Sequence, residues 1–162
     1  MNFQKLSTKI NLEGFDCGVK ELNDFLLKRA IQEAKQRLSL TMVAMDDQSK
    51  VIAYYSVSPS ELQKDLIPKE GRGVPYPSVP AIRIGRLAVS LKLQGKGVGA
   101  MILQHALKKC LNLSNGMGGR VVVVDAKNEK AVSFYSRYGF KTLKERPMTM
   151  VIKVSTIEKS LK

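Results

Sequence analysis

The residues best placed to do chemistry are Gln94-Gly-Lys-Gly-Val-Gly99, a glycine turn between an apolar strand expected over Ile82–Val89 and a helix. Gly95, Gly97 and Gly99 have no Cβ, so several backbone N–H groups at the start of that helix can face one anion. The chemistry this allows is the cradling of a diphosphate, with Lys96 as a counter-charge. A tight structural turn is the other reading of the same glycines. The run is not the dinucleotide fingerprint, which needs Gly-x-Gly-x-x-Gly and an acidic residue about twenty positions on, and no Gly-Lys-Ser/Thr closes it as in a P-loop.

The elements that must position this turn follow from spacing. Gly99, Ile102, Leu103, Ala106, Leu107 and Cys110 fall at i, i+3, i+4, i+7, i+8 and i+11, one apolar stripe that predicts a helix packed on a sheet. His105 lies off that stripe and reads as a flank residue. Upstream, Lys5–Ile10 reads as a first strand. Asp16 reads as the cap of a helix in which Val19, Leu22, Phe25, Leu26 and Ala30 keep helical spacing to about Lys35. Its outer face carries Lys28, Arg29, Lys35 and Arg37, which are either ordinary solvated charges or contacts for a polyanion.

Leu38–Met45 and Val51–Pro59 predict an antiparallel hairpin. Ser60–Pro80 holds four of the six prolines and reads as a long loop of the kind that forms a lid or substrate wall. Leu111–Gly119 reads as a flexible loop. Val121–Val124 is a β-branched run, typical of a strand covered on both faces, and is expected beside Ile82–Val89. Asn128 then opens a short helix ended by Gly139, with Ala131, Phe134, Tyr135 and Tyr138 as its apolar stripe. On spacing alone Tyr135 is a packing residue. Phe140–Leu143 and Met148–Ile157 read as the last strands.

At 162 residues the chain is expected to form one domain over 1–162. Its formal charge of +13, from 27 Lys and Arg against 14 Asp and Glu, is spread along the chain and favours a polyanionic partner, nucleic acid above an anionic membrane. Cys17 and Cys110 give neither a disulfide framework nor zinc spacing, and no metal is expected. With no basic-then-apolar leader and no apolar run of membrane-spanning length, a cytoplasmic protein is expected.

Gln94, Gly97 and Gly99 resemble the Arg/Gln-x-x-Gly-x-Gly/Ala motif of the GNAT N-acetyltransferases. The order of predicted elements matches that family over nearly the whole chain. Within it, the chain is most similar to the acetyltransferase toxins of bacterial type II toxin–antitoxin modules. The blocks that carry this likeness are Phe15-Asp-Cys-Gly18, Leu22-Asn-Asp-Phe-Leu26, Gly85-Arg-Leu-Ala-Val89, Gln94–Gly99 and Phe134-Tyr-Ser-Arg-Tyr-Gly-Phe140. Ser90 stands where such toxins often carry aspartate.

The resemblance implies an α/β GNAT fold, a mixed central sheet flanked by helices, with acetyl-coenzyme A as co-substrate. Pantetheine would lie along the backbone of Leu87, Ala88 and Val89, the diphosphate against Gln94, Gly95, Lys96, Gly97, Val98 and Gly99, and Asn128 would contact the pantetheine. Tyr135 matches the family's acid. With a pKa near 10, a tyrosine is a suitable proton donor to a departing alkyl thiolate of similar basicity. No carboxylate stands out as a base, and an α-amino group of pKa about 7.7–8 needs little help to lose its proton.

Further implications are an aminoacyl-tRNA substrate acetylated on its α-amino group, a block of translation, an antitoxin of ribbon-helix-helix type and a homodimer. Arg86, Lys28 and Arg29 are the candidate tRNA contacts. Two other readings stand beside this one: a GNAT enzyme for a small amine or a protein N-terminus, and a GNAT-like module that binds nucleic acid without catalysis.

Overall fold

The computed structural model describes residues 1–161. Its strands are β1 (Asn2–Lys5), β2 (Leu40–Met45), β3 (Val51–Gln63), β4 (Ser78–Val89), β5 (Val121–Asp125), β6 (Lys141–Thr142) and β7 (Thr149–Lys153). Its α-helices are α1 (Lys20–Asp24), α2 (Ala30–Lys35), α3 (Val98–Met117), α4 (Glu129–Ser136) and α5 (Val154–Ser160). Strand order is β1-β2-β3-β4-β5-β7-β6, a mixed sheet in which β4 and β5 are parallel while β1/β2, β2/β3, β5/β7 and β6/β7 are antiparallel.

Residues Met1–Ser58 and Gly85–Ala106 form one compact unit. The predicted hairpin is present, with Leu40 opposite Val57 and Ala44 opposite Ala53. The first strand differs from expectation. It lies at Asn2–Lys5, paired with β2 from Asn2↔Met45 to Lys5↔Met42, and beyond Lys5 the chain leaves the strand because its apolar residues do not alternate.

The first helix also differs. It begins at Lys20, after an exposed Val19, and Asp16 does not cap it. Between α1 and α2 the chain passes through a π-helical turn, Phe25–Arg29, in which Ala30 N–H donates to Phe25 O. The turn keeps Phe25, Leu26 and Ala30 all fully enclosed against Val43, Tyr54 and Ala88. Each large apolar side chain enclosed in this way contributes about 1.5–3 kcal/mol. Lys28 and Arg29 are exposed, as read, whereas Arg37 lies beyond the helix end with φ +60°.

The second unit comprises Pro59–Ile84 and the chain from Leu107 onward. Here β4 and β5 pair from Ala81↔Val121 to Ile84↔Val124, and Val121–Val124 are all buried, as a strand covered on both faces requires. The stretch 60–80 is not a free loop. β3 continues to Gln63 and β4 starts at Ser78, and Ile67 and Val74 between them are buried. Arg120 donates to Glu70 O and Arg72 O, and Lys64 donates to Val74 O, so the connection is anchored rather than a loose lid.

Two further expectations are corrected in this unit. The helix α3 does not stop near Cys110 but runs through 111–117, ending where Gly118, φ +88°, donates its N–H to Ser114 O at 2.8 Å. Of its predicted stripe, Ile102, Leu103, Ala106, Leu107 and Cys110 are buried and Gly99 is half-buried. Met148–Ile157 is half strand and half helix, since β7 ends at Lys153 and α5 begins at Val154, with Ile157 buried.

Candidate active site

The glycine turn lies in the first unit, after a short 3₁₀ turn at Leu91–Leu93. Gly95 (φ +76°) and Gly97 (φ +83°) have left-handed backbones, and a Cβ added at either would meet nothing within 4 Å. Residues 94–97, including Lys96, are exposed, while Val98 and Gly99 are half-buried as α3 begins. The N–H groups from Gly95 to Gly99 find no acceptor among the described residues, as the first turn of a helix leaves them. A turn with unpaired backbone donors and open space at Gly95 and Gly97 fits a diphosphate.

Gln94 departs from the expectation that its N–H faces the ligand. That N–H donates to Leu91 O at 3.3 Å, and its side-chain Nε2 donates to Cys17 O at 2.9 Å and to Val89 O at 2.8 Å. Both donor groups turn inward, so the open donors begin at Gly95.

At the end of β4, Ala88 belongs to the same core cluster as Phe25, Leu87 is half-buried and Val89 is nearly enclosed. In the parallel register Ile84 faces Val124, and β5 holds one residue more, so no β5 residue remains for Arg86–Val89. A strand end of this kind leaves backbone donors and acceptors for an extended ligand. Arg86 is half-buried with its guanidinium 3.6 Å from the Phe25 ring centroid, and Arg29 lies 5.5 Å from the same ring. Arg86 has no ion-pair partner among the described residues. Lys28 instead pairs with Asp24 at 3.5 Å.

The second unit holds Asn128 and Tyr135 on α4. Asn128 is the N-cap, its Oδ1 accepting from Ala131 N–H at 2.9 Å, which leaves its amide N–H₂ outward. Tyr135 packs edge-on against Phe134 and Phe140, with ring centroids 5.2 and 5.4 Å away. It is half-buried, and burial pushes its phenol up to about 12. Tyr138, from the same apolar stripe, is half-buried on Phe134. Gly139, φ +94°, ends the helix as expected.

His105 is a flank residue, as its spacing indicated: Phe3 stacks on it at 3.7 Å, and its Nδ1 lies 2.8 Å from the Tyr55 hydroxyl. Cys17 and Cys110 are buried free thiols. Among the described residues no group of three or more His, Cys, Asp or Glu could hold a metal, and no helix is long and apolar enough to cross a membrane.

Residues 13–160 match the family described as the acetyltransferase (GNAT) domain. The chain belongs to the GNAT acetyltransferase family. It is 30% identical to a tRNA-acetylating toxin of Mycobacterium tuberculosis (strain ATCC 25618 / H37Rv) over 150 residues, covering 92% of this chain and 89% of that one. Among solved structures it is similar to AtaT complexed with acetyl-methionyl-tRNAfMet (27% identical, TM-score 0.90, 99% of each chain). It is also similar to a Tyr-to-Phe variant of the AtaT toxin bound to the C-terminus of the antitoxin AtaR and acetyl-CoA (25% identical, TM-score 0.83, 99% of this chain and 98% of that one). The enzyme class is thus acetyltransferase.

The polar residues around Cys17 were missed in the sequence. Asp-Cys-Gly at 16–18 is an Asx-turn pattern, in which Asp16 Oδ1 accepts from Gly18 N–H at 2.8 Å, and that pattern was the available signal.

Proposed function

We propose that the protein is a single-domain toxin acetyltransferase that moves acetyl from acetyl-coenzyme A to the α-amino group of an aminoacyl-tRNA and so blocks translation. The observation that carries this is the uncovered Gly95–Gly99 run of backbone donors at the head of α3. It gives a diphosphate a site without a competing side chain. The named relatives support the acceptor, and the charge of +13 supports it independently, because a small amine needs no such field.

In this reading the turn and Lys96 hold the diphosphate, and Asn128 and the backbone of Leu87, Ala88 and Val89 hold the pantetheine. When bound, acetyl-coenzyme A supplies an activated acetyl group and a thiolate leaving group. Tyr135 acts as the acid through its hydroxyl. Its raised pKa keeps the phenol protonated, as a proton donor must be. Arg86, Lys28 and Arg29 contact tRNA phosphates. The protein works in the cytoplasm as a homodimer and is neutralised by an antitoxin of ribbon-helix-helix type.

The test is to incubate the protein with labelled acetyl-coenzyme A and total charged tRNA, then to sequence the labelled RNA. Label on the aminoacyl end of defined tRNAs is expected. Label that enters free amines or protein N-termini but no RNA would overturn the reading.

A further inference from the structure

We propose that Asn23, together with Asp16, is a positioning residue for the acetyl-coenzyme A turn, holding the Cys17 peptide so that Gln94 can fix where the turn begins. This rests on the reading that the turn holds the cofactor, and adds to it a device on a distant part of the chain.

The contacts form a continuous chain. Asn23 Nδ2 donates to Asp16 Oδ1 at 2.9 Å, and Asn23 Oδ1 accepts from Cys17 N–H at 2.9 Å. The other end of residue 17, its carbonyl, accepts from Gln94 Nε2, which also donates to Val89 O. A second tie runs beside the first, since Leu91 N–H donates to Asp16 O at 2.9 Å. Gly18 completes the hook: its φ is +84°, and the Leu91 side chain lies 2.7 Å from where a Cβ would be.

Each residue type is demanded by its place. Gln94 must donate twice, which a glutamate cannot do. Asn23 must accept at one end and donate at the other, so neither Asp nor Leu serves. Asp16 only accepts, and the bonds from Gly18 N–H and then Asn23 hold its carboxyl below the usual carboxylate range, so it is charged at neutral pH. Gly95 and Gly97 themselves are uncovered and permissive. The direction of the donors from Gly95 onward, relative to Val89 at the strand end, is therefore set at Gln94. Through Cys17, it is set by Asn23.

A merely structural role would lower stability and leave cofactor affinity in the folded protein unchanged. The discriminating variant is Asn23→Asp, which sets two carboxylates against each other at neutral pH. In calorimetry and steady-state assays on the full chain, Asn23→Asp is expected to raise the Kd and KM for acetyl-coenzyme A about 10-fold, as one unmade hydrogen bond does, with kcat nearly unchanged.

Gln94→Leu removes both Nε2 bonds and, in protein shown by thermal unfolding to be folded, should reproduce the kcat-preserving rise. The inference is overturned if folded Asn23→Asp and Gln94→Leu both bind acetyl-coenzyme A within twofold of wild type. Gly97→Glu separates the two levels of the argument. Lost binding in Gly97→Glu with full binding in the Asn23 and Gln94 variants refutes the positioning role alone, whereas full binding in Gly97→Glu refutes the cofactor site itself.

Discussion

The guanidinium of Arg86 lies 3.6 Å from the ring centroid of Phe25, and the ring belongs to a fully enclosed residue at the head of a π-helical turn. A cation held over an aromatic face gains about 0.5–2 kcal/mol, which orders Arg86 without neutralising it. If this charge meets a tRNA phosphate, Arg86→Ala should weaken binding of all accepted charged tRNAs alike. The slope of log affinity against log salt should shrink by about 0.7–0.9. Phe25→Leu keeps the charge and should leave the slope intact. Filter binding across a salt series measures both, and an unchanged slope in Arg86→Ala would move the phosphate contacts elsewhere.

If Asn128 contacts the pantetheine as well as capping its helix, the two roles can be separated. Asn128→Ala removes the cap on Ala131 N–H and should cost about 0.5–2 kcal/mol in thermal unfolding. Asn128→Ser keeps an oxygen in place and should retain most of that stability. Both variants lack the outward amide, so both should lose acetyl-coenzyme A affinity by calorimetry. A Ser variant with wild-type affinity would leave Asn128 as a helix cap and nothing more.

The raised pKa of Tyr135 sets a pH profile. A phenol that ionises near 10 in the unfolded chain and near 12 in the folded one contributes stability that is present below pH 10 and lost as pH rises through 12. The rate should climb as the acceptor α-amine, which its ester holds below the ordinary α-amino value of about 7.7–8, loses its proton, then stay level to about pH 10. Initial rates at short times, before the ester hydrolyses, measure this. An alkaline decline well below pH 10 that vanishes in Tyr135→Phe would contradict a buried, neutral acid.

Much of this was legible in the sequence where periodicity and burial coincide. The stripe from Ile102 to Cys110 and the run Val121–Val124 were readable because each is buried as its pattern demands. The extension of α3 to Met117 was not, since Asn112, Ser114, Asn115 and Gly116 are poor helix formers that an already nucleated helix carries along. Val154, Thr156 and Ile157 resemble a strand by propensity, yet they form α5, where Ile157 is buried. Pro59 concealed the length of β3. Because Leu40 of β2 pairs with Val57, the proline lies past the end of β2, and its missing N–H costs no bond on that side. In the site, the glycine turn was plain because only backbone matters there. The Asn23–Cys17–Gln94 chain was hidden because it joins residues far apart in sequence through carbonyl and amide groups that no pattern of residue types reveals.

The central claim is that Tyr135 supplies the proton in acetyl transfer to charged tRNA, and Tyr135→Phe under single-turnover conditions tests it most directly. The substitution removes one hydroxyl and leaves the ring against Phe134 and Phe140, so folding and acetyl-coenzyme A affinity should be retained. Transfer of labelled acetyl to charged tRNA should then fall by about 10²–10⁴-fold, the range for a positioned acid. A variant that folds, binds acetyl-coenzyme A and acetylates charged tRNA at close to the wild-type rate would contradict the account.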